Sequence, residues 1–124
     1  MTALAVFIGG GLGAMTRWGA TVGVARAWPG AALPWATLGV NLAGSFVLGL
    51  LVPIFARQPS WPPAVRAGVT AGVLGGLTTF STFSVESISA WRVAPALGLL
   101  NLALNIGLGL AAAAAGLWCG GRLA

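Results

Sequence analysis

Charged side chains are almost absent from this chain, and the few that occur separate long apolar stretches. The 124 residues include six arginines, one glutamate and no lysine, whereas about a quarter of the residues in a soluble domain are charged. With 58% hydrophobic residues and a mean hydropathy of +0.97, the chain has too little polar surface to cover a soluble globule. We therefore expect an integral, multi-pass protein of a cell inner membrane or plasma membrane.

The apolar stretches have the length of four membrane-spanning helices. A helix crosses the hydrocarbon core in about 20 residues, and the stretches cover approximately residues 4–24, 35–55, 64–90 and 93–118. Together they form a single transmembrane domain over residues 1–124 and leave almost nothing for a soluble domain. The predicted fold class is an all-α membrane protein with four transmembrane helices.

The third stretch contains a segment that disfavours a regular helix. From Gly72 to Glu86 it reads G-V-L-G-G-L-T-T-F-S-T-F-S-V-E, with adjacent glycines, several hydroxyl residues and two phenylalanines. Irregular backbone at membrane depth is tolerated only where it is buried in protein or lines a cavity. We therefore expect the third helix to break near Gly75–Thr79, where freed carbonyls could hold a cation and freed amides could face an anion.

Neutral polar side chains recur on single faces of the second and fourth stretches. Thr37, Asn41 and Ser45 follow helical spacing in the second, and Asn101 and Asn105 stand one turn apart in the fourth. An asparagine inside a span either makes an interhelical hydrogen bond, worth about 1 kcal/mol, or lines a polar pathway. Asn41 alone leaves both interpretations open. Together with the hydroxyls of the third stretch, the amides would form a string of neutral donors through the membrane.

Aromatic and charged side chains each allow two interpretations. Phe80 and Phe83 are three residues apart and would project from one face of a resumed helix. Such a pair is typical of ordinary packing, but the positive edges of the rings could replace water around a small anion. Arg17 in the first stretch either extends to the interface or draws anions to a pore mouth. Glu86, the sole acidic residue, is expected to pair with an arginine rather than to carry protons.

Several classes of function have few candidate residues. The arginines are scattered, whereas nucleic-acid binding needs clustered phosphate contacts. Histidine, aspartate and tyrosine are absent, and Cys119 is the only cysteine, so side-chain metal sites and acid–base pairs have almost no candidates. We therefore expect no enzyme and no nucleic-acid partner, and we predict no protein partner other than a second copy of the chain.

The arginines are distributed almost evenly over the two membrane faces. With four alternating helices, one face carries Arg57, Arg66 and Arg122 and the other carries Arg26 and Arg92, and Arg17 is ambiguous. The positive-inside bias that orients membrane proteins is therefore nearly absent. Chains inserted in both orientations would form an antiparallel, dual-topology homodimer with a two-fold axis in the membrane plane. Such a dimer would also supply the interior that a four-helix monomer lacks.

Three motifs occur in order along the chain. They are G-G-L-G-A-M-T-R-W from Gly10, T-L-G-V-N-L-A-G-S-F-V-L-G from Thr37 and G-G-L-T-T-F-S-T-F-S from Gly75. With these motifs the whole chain resembles the Fluc/CrcB fluoride channels. The resemblance implies a homodimer with two antiparallel fluoride pores and a structural sodium ion at the dimer centre. It also implies that fluoride leaves the cell passively through these pores when it accumulates.

The resemblance, together with the string of amides and hydroxyls described above, assigns residues to the pore. The predicted fluoride pore is lined by Phe80, Phe83, Asn41, Ser81, Thr82, Asn105, Asn101 and Thr37. The resemblance implies that backbone carbonyls of Gly75 and Thr78 from both subunits hold the sodium ion, and that Arg17 stands in the vestibule. The fourth stretch departs from the family pattern, because without tyrosine it leaves any phenolic partner unfilled.

Two other classes of membrane protein remain as alternatives. A small four-helix multidrug exporter of the proton-antiporter type is also dimeric and similar in length. It needs a membrane-embedded carboxylate in an early helix, and the first two stretches contain none. A non-transporting assembly subunit would explain the glycine-rich packing, but it would not explain the alignment of hydroxyls, amides and aromatic rings.

Overall fold

The computed structural model describes residues 1–124, which form an all-helical protein. Its four helices are α1 (Thr2–Ala27), α2 (Trp35–Arg57), α3 (Pro63–Val93) and α4 (Pro95–Leu123). By length and composition, α2, α3 and α4 can each cross a membrane, so the chain is a multi-pass membrane protein. The glycines, threonines and arginines of α1 lower its hydropathy, and its crossing of the bilayer stays a prediction.

Glycines bring α1 against the first half of α3, residues 63–77. A Cβ at Gly9 would overlap the carbonyl oxygen of Gly68, and a Cβ at Gly13 would overlap that of Val73. Because later residues of α1 contact later residues of α3, the two helices run parallel. Such close backbone approach through small residues is typical of helix packing in membranes.

A second glycine contact joins α2 to α4. A Cβ at Gly116 would overlap the carbonyl oxygen of Phe46, and a Cβ at Gly120 would overlap that of Leu50. At the ends of both helices, Arg57 Nη1 donates to the carbonyl of Gly121 at 3.0 Å. These two helices therefore also run parallel, which fits a chain whose successive helices alternate in direction.

A one-residue corner joins α3 to α4. Ala94 is extended, with φ −155° and ψ 125°, and Pro95 begins α4. Proline suits the first turn of a helix because the N–H that it lacks would have no helical partner there. The fourth helix therefore begins at Pro95, two residues after the position predicted from hydropathy. Gly98 then lies against Trp91, so the second half of α3 and the start of α4 form an antiparallel pair.

Two segments are wound more widely than an α-helix. Gly68–Leu74 in α3 and Leu104–Leu108 in α4 are π-helical, a rare form that occurs frequently at functional sites. The sequence pattern did not indicate either segment. The first leads into the break of α3 and the second contains Asn105. Around the break, α2 and α3 make few contacts with each other, which leaves a cleft between them.

Candidate ion pathway at the helix break

The break in α3 consists of two extended residues. Thr78 has φ −80° and ψ 156°, and Thr79 has φ −152° and ψ 118°. The first half of the helix ends at Leu77, and the second begins at Phe80. Thr79 caps the second half, because its Oγ1 accepts a hydrogen bond from Thr82 N at 3.2 Å. The break lies within the predicted range Gly75–Thr79.

The extended backbone removes the helical partners of the four carbonyl groups from Gly75 to Thr78, among them the two predicted to hold a cation. In a continuous helix, Thr79 N–H would donate to Gly75 O and Thr82 N–H to Thr78 O. Instead, Thr79 N donates to Oδ1 of Asn41 at 2.8 Å, and Thr82 N donates to Thr79 Oγ1. The two carbonyls predicted to hold a cation have therefore lost these donors.

Asn41 of α2 replaces the missing helical partner of Thr79. Its Oδ1 accepts from Thr79 N, and its Nδ2 donates to Thr79 O at 3.1 Å. Asn41 Nδ2 also donates to Oδ1 of Asn105 at 3.2 Å. Asn41 also lines the cleft beside the break. The two interpretations that the sequence left open, interhelical bonding and a polar lining, therefore both describe this side chain.

The polar contacts continue from Asn105 into the protein interior. Asn105 Nδ2 donates to Oδ1 of Asn101 at 3.0 Å and to its backbone oxygen at 3.1 Å. Asn101 Nδ2 donates to Ser87 Oγ at 2.8 Å, and Ser87 Oγ donates to Phe83 O at 2.8 Å. Asn101 is only 1% exposed. The structure thus joins all three asparagines of the chain in one network.

An open cleft of about 360 Å³ lies beside the break. It is lined by Asn41, Gly44, Ser45 and Leu48 of α2, by Thr70, Leu74, Gly75, Thr78, Thr79, Phe80 and Phe83 of α3, and by Asn105 and Ile106 of α4. The lining contains hydroxyls, carboxamides and aromatic rings but no ionisable side chain. It therefore presents neutral polar groups to the cleft without a fixed charge.

The structure places the predicted site residues in two groups. Those that line the cleft are Asn41, Gly75, Thr78, Phe80, Phe83 and Asn105, and those outside its lining are Ser81, Thr82, Asn101, Thr37 and Arg17. Thr82 Oγ1 accepts from Thr79 Oγ1 at 2.9 Å, so it supports the cap of the second half of α3. Ser81 is exposed next to the break.

The rings of Phe80 and Phe83 touch each other edge to face. Their centroids are 5.6 Å apart and their planes meet at 62°. Phe80 is 79% exposed, whereas Phe83 is 5% exposed. The spacing of three residues therefore brings the rings together as predicted, but only Phe83 is enclosed by its own chain.

Arg17 of α1 contacts the backbone of α3 just before the break. Its Nε donates to the carbonyl oxygen of Gly76 at 3.2 Å, and the side chain is half-buried. Gly76 is near the C-terminal end of the first half of α3, where carbonyl groups carry a partial negative charge. The guanidinium therefore stabilises this helix end.

The expected pairing of Glu86 with an arginine is wrong. Glu86 Oε1 accepts from Thr37 Oγ1 at 3.0 Å, and Oε2 is buried without a hydrogen-bond partner. Glu86 faces α2, and the nearest arginine in sequence, Arg92, is not at the three- or four-residue spacing that would place it on the same face. Thr37, predicted to line the pore, therefore contacts Glu86, away from the cleft lining.

Ser87 is the member of the network that sequence reasoning missed. It is a small hydroxyl residue four positions after Phe83, and nothing in its local pattern distinguishes it from Ser84 or Ser89. Only the packing of α4 against the second half of α3 brings it to Asn101.

The sequence matches a known family over nearly its whole length. A family model described as "CrcB-like protein, Camphor Resistance (CrcB)" matches residues 4–117. The chain belongs to the CrcB family. This confirms the resemblance drawn from the three motifs, and the CrcB match includes the break and all three asparagines.

Relatives within the CrcB family are named as ion channels. A protein of Bordetella petrii named "Fluoride-specific ion channel FluC" is 45% identical over 113 residues, which cover 88% of this chain and 84% of the relative. A protein of Magnetococcus marinus with the same name is 42% identical, over 93% of this chain and 94% of the relative. "Fluoride-specific ion channel FluC 1" of Yersinia pestis is 46% identical, over 86% and 87%.

Proposed function

We propose that this chain forms a passive, fluoride-selective ion channel. The observation that carries the proposal is the cleft beside the break, which combines neutral polar side chains with aromatic rings in a chain of the CrcB family. The relatives named as fluoride-specific ion channels match this chain over most of both lengths. The multidrug-antiporter alternative lacks support, because neither α1 nor α2 contains a carboxylate.

The chemistry of the cleft suits a small, strongly hydrated anion. The Ser45 hydroxyl, which makes no hydrogen bond within the chain, and the positive ring edges of Phe80 and Phe83 can replace part of the water around fluoride. The amide hydrogens of Asn41 and Asn105 would have to leave their internal partners to do the same. A carboxylate in the lining would repel the anion, and the lining contains none. In this proposal Ser81, Thr82, Asn101 and Thr37 support the lining, and Arg17 attracts anions towards the vestibule.

A second copy in the opposite orientation would complete the route. On a single chain the extended residue Thr78 is only half-buried, and Gly75 and Phe80 beside it are exposed, yet irregular polar backbone at membrane depth cannot face lipid. A two-fold axis in the membrane plane near the break would cover both surfaces and give two antiparallel pores. The near balance of three arginines against two on the opposite face supports insertion in both orientations. In this dimer α1 is the fourth membrane-spanning helix of each copy.

The freed carbonyls at the break fit a structural sodium ion at the dimer interface. Gly75 O and Thr78 O have lost their helical donors to Asn41 and Thr79, and carbonyl oxygen is a ligand preferred by hard cations at broken membrane helices. No cluster of histidine, cysteine or carboxylate ligands offers an alternative metal site. The bound cation would neutralise the negative ends of the carbonyl dipoles that converge from the two copies.

Fluoride efflux from proteoliposomes tests the proposed function. With valinomycin present to balance charge by potassium movement, we expect rapid fluoride release without a proton gradient and far slower chloride release. Without valinomycin, fluoride efflux should leave the vesicle interior positively charged, and this membrane potential should stop further efflux. Equal rates for chloride and fluoride, or a strict requirement for a proton gradient, would exclude a fluoride channel.

A separate experiment tests dual topology. A tag at the C-terminus should be accessible from both sides of the membrane in intact cells, because the arginine balance favours neither orientation. Accessibility from one side only would contradict the antiparallel dimer and would leave the efflux result unaffected.

A further inference from the structure

A directional chain of hydrogen bonds runs from the break in α3 to a buried serine. We propose that Asn101 and Ser87 are positioning residues that act through Asn105 to orient the amide of Asn41, and thereby keep Thr79 out of the helix. The proposed effect on the break depends on these contacts alone. Its effect on conduction rests on the proposed function.

The direction of the chain is set at Ser87. Its hydroxyl hydrogen is committed to Phe83 O at 2.8 Å, so its oxygen is left to accept a hydrogen bond. Asn101 Nδ2 donates to that oxygen at 2.8 Å. The Asn101 amide is therefore held with Nδ2 towards α3 and Oδ1 towards Asn105.

The orientation of the Asn101 amide fixes that of Asn105, which in turn fixes that of Asn41. Asn105 Nδ2 donates to Asn101 Oδ1 at 3.0 Å, which turns Asn105 Oδ1 towards Asn41. Asn41 Nδ2 donates to this oxygen at 3.2 Å and to Thr79 O at 3.1 Å. Both amide hydrogens of Asn41 are then used, and its Oδ1 is left to accept from Thr79 N.

Reversal of one amide would place two donors against each other. If Asn105 turned over, its Nδ2 would face Nδ2 of Asn41. Asn41 would then have to turn as well and present Nδ2 to the N–H of Thr79. An unpaired buried donor carries the full cost of its lost hydration, so the network favours one orientation throughout.

Burial separates these two residues from the ion route. Asn101 is 1% exposed and Ser87 is 3% exposed, and neither lines the cleft. They cannot touch an ion there, so any influence on conduction must pass through Asn105 and Asn41. This distinguishes them from the residues that would contact fluoride.

Two serines on α3 provide a matched pair of variants. Ser84 Oγ donates to Phe80 O at 2.8 Å, as Ser87 Oγ donates to Phe83 O, but Ser84 contacts no asparagine. We would measure hydrogen exchange of the Thr79 amide by NMR in lipid nanodiscs. Ser87→Ala and Asn101→Leu should accelerate this exchange about tenfold, since each breaks the network at one bond or more. Ser84→Ala should leave it unchanged.

Rescue and flux complete the test. Ser87→Thr keeps the hydroxyl and should restore slow exchange at Thr79, and fluoride efflux should fall only in variants whose Thr79 exchange is accelerated.

Unchanged Thr79 exchange in Ser87→Ala would overturn the proposal. Equal acceleration of exchange throughout α1 and α2 would also overturn it, because that result indicates general loosening of the helices. Ser87→Ala removes only one oxygen atom and serves if Asn101→Leu does not fold. Absence of fluoride efflux in the unmodified protein would refute the proposed function, while the exchange data would still decide the positioning role.

Discussion

Asn41 pairs with both backbone groups of Thr79, its Oδ1 2.8 Å from the amide nitrogen and its Nδ2 3.1 Å from the carbonyl oxygen. One side chain of α2 thus takes the place of a helical partner in α3. Unpaired backbone groups at membrane depth are costly, and this pairing removes that cost for both backbone groups of Thr79. It also separates Thr79 N–H from Gly75 O, which is then available for other contacts.

Replacing Asn41 should therefore affect stability and flux differently according to the substituent. Asn41→Leu leaves Thr79 N–H and C=O unpaired, at about 1–3 kcal/mol for each group, and should lower both the unfolding temperature in detergent and fluoride efflux. Asn41→Asp keeps an acceptor for Thr79 N–H but places a negative charge beside the route. We expect it to abolish efflux, and it also lacks the donor to Thr79 O and Asn105 Oδ1. Equal stability of Asn41→Leu and the unmodified protein would contradict the pairing.

The different burial of Phe80 and Phe83 predicts different effects of the same substitution. Phe80→Ile and Phe83→Ile both remove a ring edge and should slow fluoride efflux in proteoliposomes by about tenfold or more, the loss expected when an interaction of ~1.4 kcal/mol or greater disappears. Only Phe83→Ile changes a side chain enclosed by its own chain, so it alone should destabilise the monomer, by about 1–3 kcal/mol. Rapid efflux in both variants would exclude a role for ring edges.

The contact between α1 and α3 predicts that two neighbouring glycines respond oppositely to alanine. A Cβ at Gly13 would overlap the carbonyl of Val73, whereas a Cβ at Gly11 would meet nothing within 4 Å. Gly13→Ala should destabilise the protein by about 1–3 kcal/mol because the helices must separate. Gly11→Ala should be neutral or stabilise it by up to about 1 kcal/mol, since alanine favours the helix. Equilibrium unfolding in detergent measures both, and similar effects would refute the close contact.

Gly44 and Thr78 should show coupled effects. A Cβ at Gly44 would overlap Cγ2 of Thr78, so Gly44→Ala should displace the first residue of the break and reduce fluoride efflux. Thr78→Ser removes Cγ2 and keeps the hydroxyl that donates to Leu74 O at 2.9 Å. The double variant should therefore recover much of the efflux lost in Gly44→Ala, a coupling of about 0.5–3 kcal/mol in a double-mutant cycle. Strictly additive effects of the two substitutions on efflux would contradict the contact between residue 44 and Thr78.

Removal of sodium should weaken the proposed dimer. Carbonyl groups of Gly75 and Thr78 from two copies would repel each other without a cation between them, so exchange of sodium for N-methylglucamine should reduce efflux and increase the monomer fraction measured by cross-linking. Returning sodium should reverse both changes. Dimers that persist and conduct equally well after exhaustive sodium removal would rule out the structural ion.

Local sequence predicts much of this fold because membrane helices follow from hydropathy over short windows. The apolar stretches indicate the helices, and the adjacent glycines and threonines between Gly75 and Thr79 indicate the break, since these residues weaken a helix and offer caps. The polar faces that contain Asn41 and Asn105 also follow from helical spacing alone. None of these features depends on a partner far away in the chain.

The partners of the polar groups were decided only by the tertiary structure. Whether Glu86 meets an arginine or Thr37, whether Asn101 lines the cleft or lies behind Asn105, and which group accepts the Thr79 N–H depend on the rotation and depth of each helix. Those are set by close glycine contacts between helices distant in sequence, such as Gly13 against Val73 and Gly49 against Ala113. A shift of a fraction of a turn would exchange one hydrogen-bond partner for another, and spacing within one helix cannot specify it.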